Sequence, residues 1–189
     1  MPSPVLKLGE RITLFPVIHG SGDCALSVRA TMLREEFDCL CVPLPASFQA
    51  KVEEGVLQLP GPALVVQPET PKFAGGPLGN WTPDEREFGD EAGEASVASR
   101  RLSYVPIDPC QPVIMALRVA LGEHMPRRFI DLETCPFEPY GAVLPDPYAL
   151  KQVAHERFAA ALLLSIPPLP AGQPRARVRY MAVRLRELE

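Results

Sequence analysis

Short, continuous apolar runs alternate along this chain with segments whose apolar residues recur at helical spacing. The runs lie at residues 12–18, 37–44, 63–66, 102–108 and 128–133. They have the length of buried strands, and three of them lead directly into a helical pattern. Strands that alternate with helices indicate βαβ units, and strands that are apolar throughout indicate a sheet covered on both faces. We therefore expect an α/β fold with an open, mostly parallel sheet flanked by helices, a three-layer sandwich.

The helical patterns carry their own start and stop signals. Ser21 or Asp23 can cap a first helix, and Gly122 is a natural stop for a helix that follows residue 112. Asp146 and Pro147 predict the start of a helix that runs to the Pro167-Pro168 pair. A last, amphipathic helix is predicted over residues 174–189, which are rich in arginine.

Residues 67–101 interrupt the alternation. This segment has no periodicity and is rich in proline, glycine and acidic residues, as expected of an irregular insertion in the fold. The length of 189 residues predicts a single α/β domain over 1–189. Because the chain stops inside the arginine-rich segment, the alternative is that it forms the N-terminal part of a larger α/β unit.

Composition excludes several classes of protein. With 47% hydrophobic and 22% charged residues, the chain has enough apolar material for a core. A net charge of −4 argues against nucleic-acid binding, and no apolar run is long enough for a membrane span. An odd number of cysteines, five, without a signal peptide indicates a reducing, cytoplasmic location. We expect a soluble protein that binds a small molecule or a protein partner.

Candidate site residues follow from the rule that open α/β sheets bind ligands at the carboxyl ends of their strands. The rule selects Pro43–Pro45 after the second strand and six further residues: His19, Gly20, Ser21, Asp108, Asp131 and Glu133. Asp23, in the helix that follows His19, is a further candidate. His19, beside a helix N-terminus, is suited to hold an anion or a metal ion or to act as a general base. The alternatives are structural, with His19 as a hydrogen-bonded turn residue and Asp108 as a helix cap.

Several short motifs resemble a known superfamily. The segments Phe15-Pro-Val-Ile-His-Gly-Ser-Gly-Asp23 and Phe37-Asp-Cys-Leu-Cys-Val-Pro-Leu-Pro45 resemble the start of the superfamily that unites erythromycin-esterase-like and ChaN-like proteins with the TraB/PrgY and Tiki proteins. Tyr104-Val-Pro-Ile-Asp108 and the Arg179-Tyr-Met-Ala-x-Arg-Leu185 segment resemble its later blocks. The resemblance implies a hydrolytic site in which a histidine, matched by His19, binds a divalent metal ion or acts as a base.

Two functions follow from these observations. The first is a hydrolase of an ester, amide or similar polar small molecule, with His19, Asp108 and Arg179 in the catalytic site. Its ligand-binding residues would be Gly20, Ser21, Asp23, Asp131, Glu133 and Arg177, and its metal ligand His19. The second is a non-catalytic interaction domain, because the position of the family's acidic residue falls at Pro43.

Overall fold

A computed structural model describes residues 6–68, 102–134, 137–138, 141 and 143–189. The strands within these ranges are β1 (Leu6–Leu8), β2 (Ile12–Leu14), β3 (Leu40–Pro45), β4 (Ala63–Pro68), β5 (Leu102–Ile107) and β6 (Arg127–Asp131). The helices are α1 (Gly22–Arg34), α2 (Gln49–Leu57), α3 (Pro112–Gly122), α4 (His155–Ser165) and α5 (Gln173–Leu188). Short 3₁₀ turns occupy Ala46–Phe48 and Pro147–Lys151.

The strands pair in twos within the described ranges. β3 and β6 run parallel, whereas β1 with β2 and β4 with β5 run antiparallel. The α/β class is therefore confirmed, but the expected continuous, mostly parallel sheet is replaced there by one parallel and two antiparallel pairs. The connections explain the directions: helices α2 and α3 lie between β3 and β6, as a parallel crossover requires, whereas β5 returns directly alongside β4.

The predicted insertion 67–101 lies almost wholly outside the described residues. Its first two residues, Gln67 and Pro68, instead complete β4. The segment 69–101 therefore joins the two paired strands, leaving from Pro68 and returning beside it at Leu102.

One apolar core is shared by β3, β4, β5, β6, α2 and α3. Its fully buried members are Val42, Phe48, Val52, Val56, Val65, Ile107, Ile114, Leu117 and Phe129. Gly55 lets α2 approach β5 closely, because a Cβ atom at that position would lie 3.1 Å from Cγ1 of Ile107. Helix α1 packs against α3 and buries Cys24, Ala25 and Val28.

The first and third helices begin where the sequence predicts. Ser21 caps α1, since its Oγ accepts a hydrogen bond of 3.1 Å from the backbone N–H of Cys24. Pro112 lies in the first turn of α3, where a missing N–H costs nothing. Helix α3 ends at Gly122, but the left-handed residue that closes it is His124, with φ of +54°.

Two predicted elements differ in extent. β2 ends at Leu14 rather than at residue 18, because Pro16 has no backbone N–H to donate to a ladder. The helix predicted from Pro147 is a 3₁₀ turn followed, after a break, by α4. Asp146 caps that turn through Oδ1 and the N–H of Tyr148, at 2.9 Å. Among the described helices none combines the length and the apolar character that crossing a bilayer requires.

Candidate functional site

The predicted site residues lie in two groups at the ends of strands. One group follows the parallel pair β3–β6 and contains Asp131 and Glu133. The other lies where the turn that precedes α1 meets the turn after β5. Each group is held together by hydrogen bonds between its own side chains and backbone.

Asp131 is the last residue of β6, and its carboxylate is bound by Arg177 from α5. Nε of Arg177 donates to both carboxylate oxygens, at 3.1 and 3.0 Å, and Nη2 donates to Oδ2. The Asp131 side chain is only 1% exposed, and its Oδ1 also accepts the N–H of Leu132 at 2.7 Å. The guanidinium of Arg177 stacks on the ring of Phe137, 4.8 Å from its centroid. This carboxylate is neutralised and enclosed by the protein itself.

Glu133 is likewise occupied. Its two carboxylate oxygens accept hydrogen bonds of 2.8 Å from the backbone N–H and from the Oγ of Ser47. Ser47 belongs to the 3₁₀ turn directly after β3, so the interaction joins the ends of the two parallel strands. The strand-end rule selected Pro43–Pro45 but not Ser47, which lies two residues farther along. The predicted strand ended at residue 44, whereas β3 extends to Pro45.

The second group is built on two turns that contact each other. The N–H of Gly20, which has φ of +75°, donates to Oε1 of Gln111 at 2.9 Å. Asp108 follows β5, and its Oδ1 accepts the N–H of Cys110 at 2.7 Å. The Asp108 carboxylate therefore closes its own turn, a structural role close to the alternative that the sequence left open.

His19, the residue expected to bind a metal ion or act as a base, is exposed. Within the described residues it makes no hydrogen bond or ion pair, to Asp108 or to any other group. Asp23 lies in the first turn of α1, where a carboxylate complements the helix dipole, and Arg179 is exposed on α5. The described ranges contain no group of three or more His, Cys, Asp or Glu side chains that could hold a metal ion.

His155 is a half-buried histidine that was predicted to lie inside a helix, and it is the first residue of α4. Its ring stacks on Phe15 with centroids 4.0 Å apart and an interplanar angle of 23°. Both ring nitrogens are buried, and neither has a hydrogen-bond partner among the described residues. Burial lowers the pKa of His155 below its ordinary value, while the nearby carboxylate of Glu156 opposes that shift.

The cysteines of the described ranges are free thiols. Cys24 is buried, Cys39 and Cys41 are half-buried, and Cys110 is exposed. Burial, followed by the neighbouring Cys39 thiol, raises the pKa of Cys41 to about 11. A thiol with such a pKa is a poor nucleophile and a poor metal ligand at neutral pH.

Two shallow hollows lie along α3, away from the predicted site. One, of about 300 Å³, is lined by residues of α2 and α3 that include Leu57 and Leu121. The other, of about 350 Å³, lies between α1 and α3 and includes Leu33 and Met115. Arg118 borders both. None of the predicted site residues lines either hollow.

The β4–β5 pair presents an apolar surface to solvent. Alternate residues of the two strands share this surface, which we call the outer face, and all six are exposed: Leu64, Val66, Pro68, Leu102, Tyr104 and Pro106. The opposite face carries Val65 and Ile107 into the core. The continuous apolar runs at 63–66 and 102–108 suggested strands covered on both sides, but within the described chain only one side is covered.

Sequence reasoning therefore missed the outer face, because an apolar run does not say which of its two sides another element covers. It also missed Gln111 and Ser47, whose positions are fixed by contacts across the fold.

No protein-family model, curated protein or solved structure matches this chain.

Proposed function

We propose that this chain is a non-catalytic protein-binding domain that uses the outer face of β4–β5. The observation that carries the proposal is the composition and exposure of that face. Leu64 is 57% exposed, Leu102 56% and Tyr104 66%, and no charged or hydrogen-bonding residue other than the tyrosine lies among the six. Soluble monomers rarely expose contiguous apolar patches larger than a few hundred Å², and the largest such patch on a protein is often functional.

The free energy of burial favours a partner on this surface. Covering apolar surface gains roughly 25 cal/mol per Å², or about 1.5–3 kcal/mol for each large side chain that passes from full exposure to full burial. The side chains of the outer face retain about half of their exposure, so each would contribute part of that amount. The two strands of the face are held by a six-residue ladder and by the core behind them.

The state of the predicted catalytic residues supports binding over hydrolysis. The hydrolytic site that the resemblance implies pairs its histidine with a carboxylate or a metal ion, as general base or Lewis acid. Asp131, Glu133 and Asp108 each accept hydrogen bonds from the protein itself, and His19 has no acidic partner within the described ranges. The resemblance to erythromycin-esterase-like and ChaN-like proteins stays a prediction.

The experiment that tests the proposal is site-specific photocrosslinking in cells that produce the protein. Tyr104→benzoylphenylalanine should yield discrete covalent adducts, whereas the same replacement at Tyr148, which is 56% exposed on the 3₁₀ turn after Asp146, should not. Adducts that are equal at the two positions, or absent at both, would contradict the proposal.

Hydrolysis of a model ester by the purified protein, abolished by His19→Ala, would contradict it independently. In that case the exposed His19 would have a catalytic role that its present contacts do not support.

A further inference from the structure

We infer that the partner of the outer face is a second copy of this chain, packed face to face across a two-fold axis. The inference rests on the proposed function, whose site it shares, and names the occupant of that site. It starts from the order of residues in the ladder. The cross-strand pairs of the outer face are Leu64 with Pro106, Val66 with Tyr104, and Pro68 with Leu102.

This order makes the face complementary to itself. The two leucines lie on one diagonal of the face and the two prolines on the other, with Val66 and Tyr104 at the centre. A symmetric dimer uses the same patch on both copies, so each residue must fit what the two-fold axis places opposite it. The axis lies in the plane between the two packed sheets and runs either parallel to the strands or perpendicular to them. In both cases every leucine lies opposite a proline of the second copy.

Leucine opposite proline is a favourable arrangement for stacked sheets. Packed sheets lie about 10 Å apart, and their facing side chains must interdigitate without voids or clashes. A long side chain opposite a short ring fills that distance, whereas two leucines in direct opposition would compete for the same space. With the axis across the strands, Tyr104 meets Tyr104 of the second copy, and two aromatic rings stabilise each other in an offset stack.

Charge also favours a second copy. The six residues of the outer face carry no charge, so two faces can meet without burying a charged group, although each chain carries −4.

The area of the face sets the strength of the dimer. Six partly exposed side chains offer on the order of 400 Å² per copy, so the dimer buries about 800 Å² in all, which is below the roughly 1,200 Å² of stable specific complexes and in the range of transient ones. Such an interface supports weak, concentration-dependent association. We therefore expect a dissociation constant between roughly 10 µM and 1 mM.

Sedimentation equilibrium of the purified full chain, from 10 µM to 1 mM, tests the inference. The wild-type mass should rise with concentration from 20.7 kDa toward twice that value. Leu64→Glu should weaken association at least tenfold, and the uncharged Leu64→Ser should weaken it in the same direction. Leu26→Glu is the matched control, because Leu26 is 63% exposed on α1 and the charge change is the same; it should leave association within twofold of wild type. Circular dichroism and urea midpoints verify that each variant is folded.

The possible outcomes distinguish failure of the inferred dimer from failure of the proposed protein-binding function. A wild-type chain that stays monomeric to 1 mM, while the Tyr104 photoprobe captures a different protein, overturns the second copy and leaves the binding function intact. A monomeric chain with no adducts overturns both. Association that Leu64→Glu leaves unchanged, or that Leu26→Glu weakens equally, also overturns the inference because the dimer then forms through another surface.

Discussion

Arg177 of α5 binds the carboxylate of Asp131 at the end of β6 through Nε and Nη2, with the aspartate side chain 1% exposed and the arginine 21%. The pair connects α5 to the rest of the fold, and no residue of that helix is fully buried. Other contacts of this region are the hydrogen bonds from the N–H of Glu138 to Gln173 and from Arg11 to the carbonyl of Glu189, just after the helix. The Asp131–Arg177 pair occupies two residues that the sequence offered as ligand-binding groups.

Removing the arginine should destabilise the protein strongly. Arg177→Ala leaves Asp131 buried without its cation, which costs about 2–4 kcal/mol, less than for a wholly enclosed pair because Arg177 keeps some solvent contact. Urea unfolding measures the loss. Arg184→Ala is the control: Arg184 pairs with Glu187 on the surface, and its loss should cost under about 0.5 kcal/mol. Equal effects of the two substitutions would contradict the structural role of the Asp131–Arg177 pair.

The cap of α1 offers a second test. Ser21→Ala removes the acceptor for the N–H of Cys24 and should lower the free energy of unfolding by about 1 kcal/mol. Ser27→Ala lies inside the same helix, where alanine is the better helix former, and should be neutral or slightly stabilising. Chemical denaturation compares the two variants. A Ser21→Ala protein as stable as the wild type would show that the cap contributes nothing.

The end of α3 can be improved by one substitution. His124 closes the helix in the left-handed region, while the N–H of Met125 donates to the carbonyl of Ala120 at 2.8 Å. Glycine adopts that conformation without strain, so His124→Gly should stabilise the protein by about 0.5–1 kcal/mol. His124→Ala removes the same imidazole but keeps Cβ, and it should not stabilise. Thermal unfolding distinguishes them, and a gain with alanine equal to that with glycine would exclude backbone strain as the cause.

Stability should fall as the pH drops below about 6.5 because of His155. Its pKa in the folded state is lowered from 6.5 by burial, so below pH 6.5 the unfolded chain binds the proton more readily than the folded one. Stability is therefore retained above this pH and lost as the pH falls toward the folded pKa. Urea unfolding at pH 7 and pH 5 measures the loss, and His155→Phe, which keeps the stack on Phe15, should reduce it.

The shifted carboxyl group of Glu53 acts in a different pH range from His155. Burial raises its pKa, but the hydrogen bonds from Arg127 and Gln49 lower it by more, so the stability that it contributes is lost chiefly below pH 4.5. A His155→Phe protein with the full wild-type loss would assign the pH dependence to other groups.

Local signals predicted most of the secondary structure. Ser21, Pro112 and Asp146 act within two or three residues of their own positions, through caps and first-turn geometry that the sequence displays directly. Two local predictions were wrong in extent. Pro16 shortens β2, and the helix predicted from Pro147 is divided into a 3₁₀ turn and α4.

The sequence predicts that the candidate residues lie at strand ends, but it does not predict their hydrogen-bond partners. Strand ends located Asp131, Glu133 and Asp108, since the order of strands and helices fixes where each strand stops. Whether those acids are free depends on groups far away in the sequence: Arg177 lies 46 residues from Asp131, and Ser47 lies 86 residues from Glu133. Such partners are set by packing, to which local propensity gives no guide.

The sequence by itself determined the α/β class, the helix caps and the absence of charge along β4 and β5, because these depend on residue type and spacing. The tertiary structure decided which acids are neutralised, and it decided that β5 returns antiparallel to β4. It also decided that one apolar side of that pair faces the core while the other faces solvent. The physical reason is that a side chain is buried only where a second surface covers it, and the sequence of a strand specifies only one of the two surfaces.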